Sequence, residues 1–198
     1  MKHFKTTLLQ ASFIAITLLV TSSCGDNQNA EDSKKIAEEH NEAKFENPNA
    51  ERDAQFLVNA AEINMEEIRL GQLAQQNCMM TEVKELGKMM ETDHAKCLSD
   101  LTDLASKKSM SLPTTPSDKA EDTYKKLSSK TGMRFDKEYC EMMVNGHKGA
   151  IEMFEKASTE CNDAEIKSWA IATLPALRAH LDHAIDCEKS CEKKYSQK

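Results

Sequence analysis

The chain has 198 residues, a formal net charge of −7 and a mean hydropathy of −0.61. An acidic chain without a cluster of Lys and Arg does not suit a nucleic-acid backbone or an anionic bilayer face. Few aromatics, six Gly and no sustained alternation of period two leave strands without a signal, so the chain reads as all-α.

Met1–Lys5 carries two lysines, Leu8–Val20 is mostly apolar, and Thr21-Ser22-Ser23-Cys24 follows. A basic start, a short apolar run and small residues before a cleavage point describe a secretory signal peptide over residues 1–23. The apolar run is too short for a comfortable transmembrane helix. Small residues directly before a Cys also resemble a bacterial lipoprotein signal, which implies cleavage before Cys24 and lipid attachment to it. Losing Lys2 and Lys5 makes the mature chain more acidic still, so membrane attachment would rest on the lipid. Residues 24–50 are rich in Asn, Glu, Lys and Ala and poor in apolar side chains. They read as the lipidated Cys and a flexible tether, with Ser33 to Lys44 at most a solvated helix. Residues 51–198 are long enough for one domain of ordinary size.

Four long helices are expected in that domain. The first starts near Glu51 or Asp53 and runs to about Gln76. The second is capped by Thr81 and ends near Ser106. Pro113 and Pro116 mark a loop, and Ser117 caps a short accessory helix that ends before Thr131-Gly132. The third long helix covers about Arg134 to Glu160. Asn162-Asp163 makes a turn and cap, and the fourth covers about Ala164 to Lys194. Pro175 inside it should kink the helix one turn before His180. The long link between the second and third helices fits either a local excursion or a lengthwise crossover.

Each long helix has an apolar stripe at alternating steps of three and four, and each stripe carries one ionisable residue in its middle. The first stripe, Phe56, Ala60, Ile63, Leu70 and Ala74, is broken by Glu67. His94 interrupts Val83, Leu86, Met90, Cys97 and Leu101. His147 lies between Met143 and Ala150, and His180 between Leu177 and Ala184. All four fall near mid-helix, so they share a layer whichever way the helices run. Burying them costs free energy unless they pair or bind something. They are the candidate metal set: Glu67, His94, His147 and His180.

Several secondary candidates stand beside them. Glu91-Thr92-Asp93-His94 is a Glu-x-x-His motif, half of the di-iron pattern of ferritin-like bundles, whose other half is missing here. Met90 with His94, and Met143 with His147, are four apart and offer a thioether beside an imidazole, a soft set that suits copper. His183 follows His180 at a spacing of three. Asp136 is on the third stripe near the helix start, where it caps or bonds Tyr139 or Arg178. The competing reading of the layer is a metal-free Glu/His hydrogen-bond network.

Six cysteines lie beyond Cys24: Cys78, Cys97, Cys140, Cys161, Cys187 and Cys191. An even number in an exported chain points to disulfides. Cys187 and Cys191, one turn apart, would each bond another helix. A crossover would place Cys78 near Cys140, Cys187 and Cys191, whereas an up-down arrangement would place it near Cys161. A thiolate metal site is the alternative, but no Cys-x-x-Cys pair supports it.

Asn64 to Gly71, Met89 to His94, Phe135 to Tyr139, Met143 to His147 and Leu174-Pro175 to His180 together resemble an uncharacterised family of bacterial envelope proteins, domain of unknown function 4142. Its members are often labelled outer-membrane proteins and placed among ferritin-like bundles. The resemblance implies a ferritin-like four-helix bundle, with the short accessory helix between the second and third long helices, and a place in the cell envelope. It implies no reaction and no catalytic residue. The resulting expectation is a lipid-anchored bacterial envelope protein, held at the outer membrane, with its domain in the periplasm or at the cell surface. Its bundle would hold one transition metal, copper, iron or zinc. The alternatives are a structural or stress-protective protein without metal, and an oxidase with a variant metal centre. No nucleic-acid partner is expected.

Overall fold

The computed structural model describes residues 32–196 and, among them, six α-helices and no strand. They are α1 (Ser33–Lys44), α2 (Pro48–Asn77), α3 (Thr81–Lys108), α4 (Asp118–Ser128), α5 (Gly132–Glu160) and α6 (Ala164–Tyr195). No helix among the described residues is long and apolar enough to cross a membrane. The signal segment, Cys24 and the start of the tether lie outside the described residues.

The four long helices pair as two hairpins, α2 with α3 and α5 with α6. Two apolar clusters fill the interior. One joins Leu73 of α2, Leu86 of α3, Phe135 of α5 and Cys187 of α6. The other joins Phe56 of α2, Leu101 of α3, Phe154 of α5 and Ile166 of α6. These pairings fix direction: α2 and α6 run one way, α3 and α5 the other. The segment holding α4 must therefore carry the chain back along the length of the bundle, which is the crossover alternative. Cys78 packs beside the cluster of Cys140, Cys187 and Cys191, as that alternative requires.

Local chemistry explains most helix ends. Asn47 caps α2 through Asn49 N–H, with Pro48 in the first turn, where its missing donor costs nothing. Asp163 accepts from the backbone of Glu165 and Ile166 to start α6, and Ser117 accepts from Ala120 to start α4. Thr81, expected as a cap, is instead the first residue of α3. Met80 holds the cap position and makes no side-chain cap bond. Gly132 opens α5 at φ +60°, a conformation that residues with a Cβ adopt at a cost.

Three observations correct the sequence reading. First, Ser33–Lys44 does not behave as tether. Ala37 and Asn41 of α1 are buried, Asn41 exchanges two hydrogen bonds with the Ser111 backbone, and Ser33 bonds Thr115. The pattern was hidden because this helix buries little apolar surface and docks by polar contacts. Second, Pro175 lies inside α6 with its side chain exposed, so it does not line the histidine layer. Third, Asp136 bonds neither Tyr139 nor Arg178. Its buried carboxylate accepts from the backbone of Met79 (2.9 Å) and Met80 (3.1 Å), and from the Tyr195 hydroxyl (2.5 Å). Arg178 pairs with Glu155.

Asp53 does the reciprocal job. From α2 it accepts from the backbone of Asn162 and Asp163, in the turn between α5 and α6. Each hairpin thus uses a buried carboxylate to hold the other's turn, and this fixes the two hairpins in register along the bundle. Within the first hairpin, α2 and α3 touch backbone to backbone. A Cβ on Gly71 would lie 2.5 Å from the Gly87 carbonyl oxygen and 2.9 Å from Glu91 N. Gly is required there because the adjoining backbones leave no room. The crossover is tied down by Glu62, which receives the Ser117 hydroxyl and N–H, and by Arg69, which pairs with Glu121 and lies 4.4 Å over the Tyr124 ring.

Candidate metal centre

Three of the four mid-stripe residues come together as one donor group, His94, His147 and His180, while Glu67 lies beside it with Oε1 3.9 Å from His147 Nδ1. Glu67, His94, His147 and His180 are all buried, one from each long helix. The three imidazole rings form a nearly equilateral triangle, with centroids 5.6 Å (His94–His147), 5.3 Å (His94–His180) and 5.4 Å (His147–His180) apart. One ring nitrogen from each lies within 4.8 Å of the other two.

Each ring is oriented by a bond on one of its two nitrogens. His94 Nδ1 is 2.9 Å from Asn64 Oδ1. Asn64 Nδ2 donates to the Ala60 carbonyl at 2.7 Å, so its Oδ1 must accept and His94 Nδ1 carries the proton. His147 Nδ1 donates to the Met143 carbonyl at 2.9 Å. His180 Nε2 donates to the Asp93 carboxylate at 2.9 Å. The second nitrogens, His94 Nε2, His147 Nε2 and His180 Nδ1, are then unprotonated in the neutral rings. All three are buried without a hydrogen-bond partner in the protein, and so is Glu67 Oε2. Three unpartnered imidazole nitrogens packed together are what a cation would satisfy.

Burial keeps His94 and His147 neutral. Burial drives His94 well below its ordinary pKa, and His147 and His180 add to the effect. His147 is pushed down to about 4, chiefly by burial; the bond to Met143 opposes this and His180 reinforces it. Burial, with the neighbouring charge of Glu66, pushes the Glu67 carboxyl up to about 8. The 3.9 Å approach of Glu67 Oε1 to His147 Nδ1 is therefore a contact between neutral groups near pH 7, not an ion pair. Neutral imidazole is the ligating form.

The secondary candidates fall elsewhere. Glu91 binds Gln72 and Gln75 of α2, and Gln75 first, then Gln72, hold its carboxyl below the usual range. Met90 and Met143 fill the apolar cluster around Leu73 and Phe135. His183 is exposed and lines a cleft between α3 and α6. Two orienting residues were not singled out from sequence. Asn64 carries a signal in its spacing, since it lies three residues before Glu67 on the same face. Asp93 carries none: it is half exposed beside His94 and reaches across to α6.

The disulfide expectation is not met among the described residues, where all six cysteines are free. Three of them converge instead. Cys140, Cys187 and Cys191 form a second group whose sulfurs lie within 4.8 Å of one another, two helical turns from the histidines on α5 and α6. Thiol hydrogen bonds, from Cys140 first and then Cys187, draw Cys191 down, while Cys140 is pushed up. Tyr139, fully buried beside Cys140, also leaves its hydroxyl without a partner.

Both groups are thus geometrically compatible with a metal ion. No curated protein and no solved structure matches the chain. A family model described as "Domain of unknown function (DUF4142)" matches residues 38–186, which takes in the whole histidine layer and Cys140 but stops short of Cys187 and Cys191. Most of the chain is covered, and the protein belongs to this family of unknown function.

Proposed function

We propose that this protein is a lipid-anchored envelope protein whose bundle binds one divalent transition-metal ion, zinc, copper or iron, through His94, His147, His180 and Glu67. The observation that carries the reading is the set of three buried imidazole nitrogens without partners, each fixed as a lone-pair donor by the bond on its ring's other side. Among the described residues no neighbour makes a hydrogen bond to any of the three. Imidazole ligands suit these borderline ions better than magnesium or calcium. The crossover connectivity supports placing the chain among ferritin-like bundles, which build metal sites from facing helices at mid-height. The anchoring rests on the sequence around Cys24.

The test is metal content of the protein purified without a histidine tag, compared with the His94→Ala/His147→Ala double variant. The wild type should retain one equivalent of a divalent ion after dialysis and the variant should lose it. Equal retention by a folded double variant would sink the assignment.

A further inference from the structure

The second cluster lies outside the histidine layer and uses a different kind of donor. Cys140 Sγ is 3.1 Å from Cys187 Sγ and 3.7 Å from Cys191 Sγ, and the Met80 thioether sulfur is 3.5 Å from Cys191 Sγ. All four residues are buried, and they come from α5, α6 and the turn before α3. A single buried thiol is an ordinary small apolar side chain. Three thiols within 4.8 Å of one another, with a thioether against Cys191, form an all-sulfur donor set. Sulfurs that share one ion at about 2.3 Å in a tetrahedral arrangement stand roughly 3.8 Å apart. Of the three spacings above, two lie close to that value, and Cys140–Cys187 would have to open by about 0.7 Å.

The donor type selects the ion. Thiolate with thioether favours a soft, monovalent d¹⁰ cation over zinc or iron. A route from solvent exists as well. A cleft of about 460 Å³ reaches Cys187, lined by Glu82, Glu85, Met89, His183 and Asp186. Its carboxylates raise the local cation concentration, and Met89 and His183 add a thioether and an imidazole on the way in. We propose that Cys140, Cys187 and Cys191, with Met80 as the fourth donor, bind one copper(I) ion that enters through this cleft. The ion arrives already reduced, so no electron moves on binding. Each thiol that ligates gives its proton to solvent. Two of the three cysteines lie beyond the family match, so the site is argued from this chain's own residues and does not depend on the histidine layer.

The experiment is a copper(I) titration of the reduced, untagged protein under anaerobic conditions, in competition with a bathocuproine chelator. One equivalent should be withheld from the chelator, with near-ultraviolet thiolate-to-copper absorption and an X-ray absorption spectrum showing a first shell of sulfur only. The wild-type spectrum needs no variant and so survives any folding defect. Cys140→Ser and Cys191→Ser should lose the equivalent, Met80→Leu should weaken it about tenfold, and His94→Ala should leave it intact. Copper surrendered in full to the chelator, nitrogen in the first shell, or a Cys140–Cys187 disulfide in the protein as purified from cells would each overturn the proposal. Unchanged affinity in Met80→Leu would remove the thioether from the site.

Discussion

Asn64 Oδ1 and His94 Nδ1 are 2.9 Å apart in the middle of the bundle, and the Asn64 amide is anchored to the Ala60 carbonyl on its own helix. One asparagine therefore decides which nitrogen of His94 holds the proton and aims the other at the layer. Asp93 does the same for His180 from the surface. The two sites sit on the same helices, and His147 and His180 each stand seven residues from a cysteine of the second cluster, about 10 Å along the axis.

Asp93→Ala separates orientation from folding. The Asp93 side chain is 50% exposed, so its loss should change stability little. Divalent metal affinity at the histidine layer should fall about 10- to 100-fold, the usual effect of removing a group that orients a ligand. Competition titration with a chromophoric chelator measures it. Unchanged affinity would mean that His180 is not a ligand.

The metal-free protein should lose stability as pH rises from 6.5 to 8. Glu67 titrates near 4.5 in the unfolded chain and about 8 in the folded one, so between these values the native state holds the extra proton. Stability from this group is complete below the unfolded value and is lost as pH climbs through the folded one. The slope is at most about 1.4 kcal/mol per pH unit. Glu67→Gln should flatten this arm. The histidines act in the opposite sense and lower down. His147 titrates near 6.5 when unfolded and about 4 when folded, and His94 is lowered too, so their contribution disappears as pH falls from 6.5 toward 4. Urea melts of the metal-free protein across this range report both arms.

Gly71→Ala replaces a poor helix former with the best one and should still destabilise. Helix propensity alone would favour Ala by about 1 kcal/mol. The new Cβ would meet the Gly87 carbonyl and the Glu91 amide, backbone atoms that can yield only by separating α2 from α3. Overpacking of this kind costs about 1–3 kcal/mol. A midpoint of denaturation at or above the wild-type value would show that the hairpin is looser than the close crossing described.

Asp136→Asn should cost about 2–4 kcal/mol. The carboxylate accepts two backbone N–H groups and the Tyr195 hydroxyl in a fully buried position, and charged hydrogen bonds of this sort are worth about 1.5–3 kcal/mol each before compensation. Tyr195→Phe removes one of the three and should cost about 1 kcal/mol. Denaturant melts of the two variants give the comparison.

Much of the architecture was readable because the stripes of the four long helices are strongly periodic, and the one polar residue in each stripe marked the layer. His94, His147 and His180 meet, with Glu67 beside His147, because all four lie near mid-helix, a property that survives any helix direction. Other features depended on direction or on distant partners. The convergence of Cys140 with Cys187 and Cys191 requires α5 and α6 to be antiparallel neighbours. The bonds that Asp53 and Asp136 make to opposite turns require the crossover. The docking of α1 leaves little periodic apolar signal, since it relies on Asn41 and Ser33. Asp93 looks like any surface carboxylate until α6 is placed beside it.

The most direct test of the central claim is anomalous diffraction from crystals of the metal-loaded protein, measured at the absorption edge of the ion. The proposal expects a peak about 2.0–2.1 Å from His94 Nε2, His147 Nε2 and His180 Nδ1, with a Glu67 oxygen completing the set. A metal-saturated crystal with no peak in that layer, and the three rings held at their present spacing, would contradict it.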